Sequence, residues 1–427
     1  MLSGGCRTAV RSVMNKTARA RLVSRIQQRF ESSLTPPTTG MSSAHHSSTN
    51  NITPTIESYF AHRPQHVSSQ PSRSMEMDDQ NGLPHYPSLL NVTHIDMTSR
   101  AEDIRAGLID TFLNLERVDK NLYLARHLLK GRISLPVVYG GQVIGQALSA
   151  ATATVEVGFV PNSLHSYFVQ SGNVDRPILY QVDRIRDGKS FCTRLVKALQ
   201  DGEAIFTVQI SFHRPEADSI VHQLPMPEVP APDSLEDLSD TFERIKKNAN
   251  IPPAALAMIG FKQKEIPPAF FRIFSFRPVD IDSYLCLKKD DNHSAGHGHP
   301  TDAYRSYVWI KANENIGDDP RLHMAAAAYI SDATMIETAL RPHSKRGFIP
   351  SMALTLDHSI WMHTDNFRVD DWLLYENHST IAGGGRSLIE GKLWTRDGRL
   401  VFSTTQEALI RAHKKRPSAS PSPAAKQ

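Results

Sequence analysis

The residue best placed to do chemistry in this sequence is Asp332. It interrupts an apolar run (Ala325 to Ile330, then Met335 and Ile336) whose spacing predicts a helix over 322–340. A carboxylate buried in such a helix is costly unless it is hydrogen-bonded. Thr355 and Gln406, a hydroxyl and an amide on runs that read as strands, are the side-chain types that satisfy it. An acid held that way is suited to taking a proton from water. The competing reading puts Asp332 on the solvent side of an amphipathic helix, with no role. The first half offers a different set. Gly140 and Gly141 open a predicted helix, so a ligand can approach backbone N–H groups there, which favours an anion or a polarised carbonyl. With Gln142 beside them, His165 on the following strand and His358 next to Asp357, they are the candidate substrate-binding residues.

Other chemistries lack their residues. No G-x-S-x-G is present, so a serine nucleophile on a strand-to-helix elbow is not supported. Gly140 to Gln146 has the glycine spacing of a phosphate loop, but Gln146 stands where the lysine belongs and no hydroxyl follows it. The cluster His293, His297 and His299 lies in a Lys/Asp/Gly-rich stretch, 288–303, that reads as a solvated loop, and no metal is expected. Cys6, Cys192 and Cys286 are odd in number and far apart, so neither a disulfide framework nor a cysteine zinc site is expected.

The elements that must position these residues occur twice. In the first half a helix over 141–155 precedes strands over 164–170, 178–185, 190–199 and 204–212, with Asp201-Gly202 as a hairpin turn. In the second half the helix over 322–340 precedes strands over 352–362, 372–379, 387–395 and 400–410, with Asp397-Gly398 at the last turn. Phe206 and Phe402 each stand five residues after the turn aspartate. A duplicated α+β unit follows, with antiparallel strands wrapped around a helix. An earlier helix begins near Ser99, where Ser99 to Glu102 fits a capping box.

Composition bounds the rest. Residues 1–30 contribute +7 and residues 411–427 contribute +5 to a net charge of +4, which leaves the body at −8. An acidic body is poor material for binding nucleic acid. No run of eighteen apolar residues occurs, so no membrane span is expected. Arg7, Arg11, Lys16, Arg19, Arg21, Arg25 and Arg29 sit among small and apolar residues at helical spacing. That is the composition of a mitochondrial import peptide, with a basic disordered arm as the alternative. The expected organisation is a targeting-like segment over 1–35, a linker over 36–98, a first repeat over 99–215, a linker over 216–265, a second repeat over 266–412 and a tail over 413–427.

Several motifs together resemble a known family. Gly140-Gly-Gln-Val-Ile-Gly-Gln-Ala-Leu148, His165-Ser-Tyr-Phe168 and Ile185-Arg-Asp-Gly-Lys-Ser-Phe191 resemble the first half of the type II acyl-CoA thioesterases. Ser331-Asp332, Arg341-Pro-His343, Leu356-Asp-His-Ser-Ile-Trp361, Trp372-Leu-Leu-Tyr375 and Thr404-Thr-Gln-Glu407 resemble the second half, in order, from about Leu115 to Arg411. The resemblance implies a double hotdog fold and hydrolysis of fatty acyl-CoA to fatty acid and CoA, without a cofactor or covalent intermediate. By motif position it assigns Asp332, Thr355 and Gln406 as the water-positioning trio. The first-repeat helix carries Gln142 and Gln146 but no acid before Glu156, so one working trio per chain is expected, with the paired repeats sharing one continuous sheet and the chain forming a homo-oligomer. Two features depart from the family pattern. Ala333 replaces a bulkier residue after the aspartate, and the final Ala425-Lys426-Gln427 is not the Ser-Lys-Leu-type signal of peroxisomal members, although the resemblance implies the peroxisome as the alternative to the mitochondrial matrix. The alternatives are an acyl-CoA-binding protein without turnover, and a hydratase or dehydratase using an Asp/His pair such as Asp357 and His358.

Overall fold

The structure, a computed structural model, describes residues 101–131, 136–247, 268–286 and 304–413, together with 251 and 259. The basic N-terminal segment, the Ser/Thr/Pro-rich stretch after it, the Ser99 cap, the histidine cluster and the last residues lie outside the described set.

The first repeat runs α1 (Ala101–Phe112), β1 (Glu116–Asp119), β2 (Leu122–Ala125), α2 (Gly140–Thr152), β3 (Val160–Phe168), β4 (Ile178–Asp187), β5 (Phe191–Gln200) and β6 (Glu203–His213). Between the repeats lie a 3₁₀ turn (Pro232–Ser234), α3 (Leu238–Lys246) and α4 (Pro268–Ile273). The second repeat runs β7 (Phe274–Pro278), α5 (Ile281–Tyr284), β8 (Arg305–Ala312), α6 (Pro320–Ile330), α7 (Met335–Ser344), β9 (Pro350–Met362), β10 (Leu373–Gly383), β11 (Arg386–Thr395) and β12 (Leu400–Ala412). No described helix is long and apolar enough to cross a membrane.

All twelve strands join one antiparallel sheet in the order β1-β2-β4-β5-β6-β3-β9-β12-β11-β10-β8-β7. The order reads the same from both ends once each strand is matched to its counterpart, so the duplication is a double hotdog with a pseudo-twofold axis between β3 and β9. The continuous sheet expected from the paired repeats is present. The first Asp-Gly turn has positive φ at both Asp201 and Gly202, as a type I′ hairpin requires, whereas at the second only Gly398 is positive.

The predicted helix over 322–340 is in fact two. Ser331 to Thr334 form a turn between α6 and α7. Neither glycine nor proline breaks the run. The Ser331 hydroxyl lies 2.8 Å from the Ala328 carbonyl, and Tyr375 on a distant strand donates to the Ser331 carbonyl (2.7 Å), which satisfies that carbonyl without the helical ladder. Helix α6 then packs on α2, while α7 packs on β10 and β11. The α2–α6 crossing explains two glycines one turn apart. A Cβ at Gly141 would meet the Tyr329 carbonyl oxygen at 2.2 Å, and one at Gly145 would meet that of Ala325 at 2.9 Å.

Strands β1, β2, β7 and β8 were not anticipated in the sequence. The segment before the 3₁₀ turn crosses the outer face of the second repeat, where the Trp309 indole N–H donates to the Pro230 carbonyl (2.9 Å) and Trp309, Trp372, Leu374 and Trp394 form a second apolar cluster.

Candidate active site

Asp332, Thr355 and Gln406 come from three different elements, and the fold closes them into a triangle. Gln406 Nε2 donates to Thr355 Oγ1 (2.7 Å) and to Asp332 Oδ1 (3.2 Å), and Thr355 Oγ1 donates to the same Oδ1 (3.2 Å). Asp332 does not ride on a helix as the periodicity suggested. The turn between α6 and α7 presents it, half-buried, to the first turn of α2, where the Gly141 N–H donates to its carboxylate. Gly140 is the close neighbour there, since a Cβ on it would lie 2.9 Å from Asp332 Oδ2. The capping residue of α2, Tyr139, makes no side-chain cap, so a carboxylate from the second repeat faces the uncapped N-terminus of a first-repeat helix.

Thr355 joins by way of a bulge. Along β9 the register skips Leu356, pairing Asp357 with Glu407 but Thr355 with Ala408. Without that extra residue, strict alternation would put Thr355 on the face opposite His358. The bulge turns it inward. Its counterpart at Asn162 in β3, opposite Ser211 and Phe212, lets the repeats be aligned. Thr355, His358 and Gln406 then correspond to Pro161, Leu164 and Ile210, so the first repeat has apolar residues where the second has hydrogen-bonding ones.

Electrostatics favour a base. Burial pushes the Asp332 carboxyl up to about 7, against the opposing effect of its hydrogen bonds from Thr355, Gly141 and Gln406. Such a group changes protonation near neutrality, where a general base is most effective. Tyr139, Tyr329 and Tyr375 surround it. Burial, reinforced by the Asp332 charge, raises all three phenols above their ordinary range, so they remain neutral.

The remaining candidates divide. Gly140 and Gly141 lie in the first turn of α2, beside the trio, and the Gly141 N–H meets the protein's own Asp332 carboxylate. Gln142 is fully buried and braces the backbone: its Oε1 accepts from the Leu129 N–H (2.6 Å) and its Nε2 donates to the His127 carbonyl (2.6 Å). His165 is exposed between buried Leu164 and Ser166, so strand alternation puts it on the sheet face away from the trio. It pairs with Ser359 across the pseudo-twofold axis (Nδ1 to Oγ, 3.2 Å) and packs edge-on against Trp361. His358 does reach the site, but through Gln406. It is completely buried, with Nδ1 3.0 Å from Gln406 Oε1 and Nε2 2.9 Å from Ser331 Oγ.

Asp357 and His358 point to opposite faces of β9, and Asp357 accepts from the Glu407 N–H (2.7 Å), so they form no Asp/His pair. Among the described residues no group of three or more His, Cys, Asp or Glu is placed to hold a metal ion. Sequence reasoning missed Tyr375, which ties the Asp332 turn to β12 by donating to the Ser331 carbonyl and contacting Thr404 Oγ1 (3.0 Å), and Phe168, which packs against Gly140. Tyr375 ended the Trp372-Leu-Leu-Tyr375 motif, a buried strand carrying one hydroxyl.

Residues 260–410 match the acyl-CoA thioesterase C-terminal domain family, and residues 131–213 match the acyl-CoA thioesterase N-terminal domain family. Acyl-coenzyme A thioesterase 8 of Homo sapiens is 38% identical over 311 residues, covering 72% of this chain and 90% of that protein. The chain belongs to the type II acyl-CoA thioesterase family. Among solved structures, the acyl-CoA thioesterase II TesB2 of Mycobacterium marinum superposes with a TM-score of 0.54 at 32% identity, covering 71% of this chain and 98% of that one. A hotdog-fold protein of unknown function from Alicyclobacillus acidocaldarius superposes with a TM-score of 0.53 at 18% identity, covering 71% and 98% of the two chains, and supports the fold alone.

Proposed function

We propose that this protein hydrolyses fatty acyl-CoA thioesters to fatty acid and free CoA by direct attack of a water molecule oriented by Asp332, Thr355 and Gln406. The supporting observation is the closed triangle of those side chains around a carboxylate held near neutrality at the start of α2. In this reading Asp332 takes a proton from water as the water oxygen bonds to the thioester carbonyl carbon. Thr355 and Gln406 fix the direction of approach. The tetrahedral intermediate collapses by breaking the C–S bond, and the departing thiolate recovers the proton. The positive end of the α2 dipole, no longer offset by a carboxylate once Asp332 carries the proton, favours the negative charge that develops on the carbonyl oxygen.

Release of thiol from palmitoyl-CoA, followed with a thiol reagent, tests the reading. Turnover supports it. Saturable binding without thiol release supports an acyl-CoA-binding protein instead, and hydration of an enoyl-CoA with the thioester intact supports the hydratase alternative.

A further inference from the structure

Gln406 can do its work in only one orientation. As placed, its Nε2 faces Asp332 and Thr355 and its Oε1 faces His358. A half-turn of the amide exchanges the two atoms. Oxygen would then stand against the Asp332 carboxylate, two acceptors with no proton between them, and the donor side would be lost to the trio. Thr355 and Asp332 disfavour that state, but in the proposed reaction both also engage the water. A constant reference must come from the other side of the amide.

That side is occupied by His358. Burial lowers its pKa to about 4, so the ring is neutral and exactly one nitrogen carries hydrogen. Its backbone is anchored from the first repeat, where Ser166 Oγ donates to the His358 carbonyl (2.6 Å). Ser331 Oγ lies 2.9 Å from Nε2. When Ser331 donates to Nε2 the ring proton resides on Nδ1 and is donated to Gln406 Oε1, which holds Nε2 toward Asp332. If Ser331 instead donates to the Ala328 carbonyl, also within reach at 2.8 Å, the ring proton moves to Nε2, and Nδ1 then favours the reversed amide. The hydroxyl therefore selects the tautomer, and the tautomer selects the amide.

We infer that His358 is a positioning residue: it donates from Nδ1 to Gln406, with Ser331 setting its tautomer, and thereby keeps the Gln406 amide presented to the hydrolytic water. This rests on the trio reading above, and goes beyond it by giving the orientation of Gln406 a cause. It also replaces the expectation that His358 touches substrate.

Two amide substitutions separate the ring nitrogens. An asparagine nitrogen falls near Nδ1 and a glutamine nitrogen near Nε2. His358→Asn therefore keeps the donor to Gln406 and loses the Ser331 contact, while His358→Gln does the reverse. H358Q is expected to lower kcat by about tenfold or more with KM within about threefold, and H358N to stay within about threefold of the parent in both. In a Gln406→Ala background the H358Q effect should vanish, since the partner through which it acts is gone. Ser331→Ala, which leaves the ring in place, should lower kcat and lose its effect in the same background. That arm stands even if the His358 variants fail to fold. Wild-type kcat in both H358Q and S331A, or the same loss with and without Gln406, would overturn the inference while leaving the trio intact. Wild-type activity in Q406A alone would instead remove the trio reading itself.

Discussion

Holding a carboxylate near pH 7 should cost this protein stability, and the cost has a definite pH signature. Desolvation lifts Asp332 from 3.8 to about 7 in the folded state, while in the unfolded chain it titrates at its ordinary value. The folded state therefore binds the proton more tightly than the unfolded state between those two values. Stability falls as pH rises through that window and levels off above about 7. For a shift of this size the loss between pH 5 and pH 8.5 is about 2–3 kcal/mol, and the open side of this half-buried site reduces it toward about 2. Asp332→Asn removes the titration but turns an amide NH₂ toward the Gly141 N–H, so absolute stabilities of the two proteins are not the right comparison. The difference between them as a function of pH is. Urea unfolding at pH 5 and at pH 8.5, followed by intrinsic fluorescence, should show the variant gaining about 2 kcal/mol on the parent at the higher pH. Parallel pH dependences would mean that Asp332 titrates normally and that its burial does not tune it.

Three further outcomes follow from the geometry. Gly141→Ala places a methyl against the Tyr329 carbonyl at the α2–α6 crossing and should destabilise the fold by about 1–3 kcal/mol, read from the urea midpoint. Gln142→Leu leaves the buried Leu129 N–H and His127 carbonyl without this side chain and should cost about 1–3 kcal/mol, while KM for palmitoyl-CoA stays within about twofold; a large rise in KM without loss of stability would restore Gln142 as a substrate ligand. His165→Ala, on the far face of the sheet, should leave kcat/KM within about twofold of the parent in the thiol-release assay.

What the sequence made legible was chemical type and repetition. Asp332 stood out as an acid in an apolar run, and the doubled helix-and-meander pattern predicted a duplicated α+β unit, which the family resemblance made a double hotdog. Three features were invisible. The break after Ile330 is tied by Tyr375, whose hydroxyl reaches the Ser331 carbonyl from a distant strand, with no glycine or proline to mark it. Thr355 and His358 stand three apart, which period-two reasoning assigns to opposite faces, and only the bulge at Leu356 brings both inward. Gly140 and Gly141 were read as open to a ligand because the approach of α6 and Asp332 depends on contacts nearly two hundred residues away in the chain. Short strands such as β1 and β2, four residues each, carry too little pattern to be seen at all.

The central claim, that Asp332 is the base for water attack, is tested most directly by the pH dependence of kcat for palmitoyl-CoA hydrolysis in the parent and in D332N. The parent should lose activity below an apparent pKa near 7, the value at which the carboxylate is protonated. In D332N kcat should fall by about 10²–10⁴ and that acid limb should disappear. A variant that keeps the limb, or retains near-parent kcat across the range, would show that another group takes the proton.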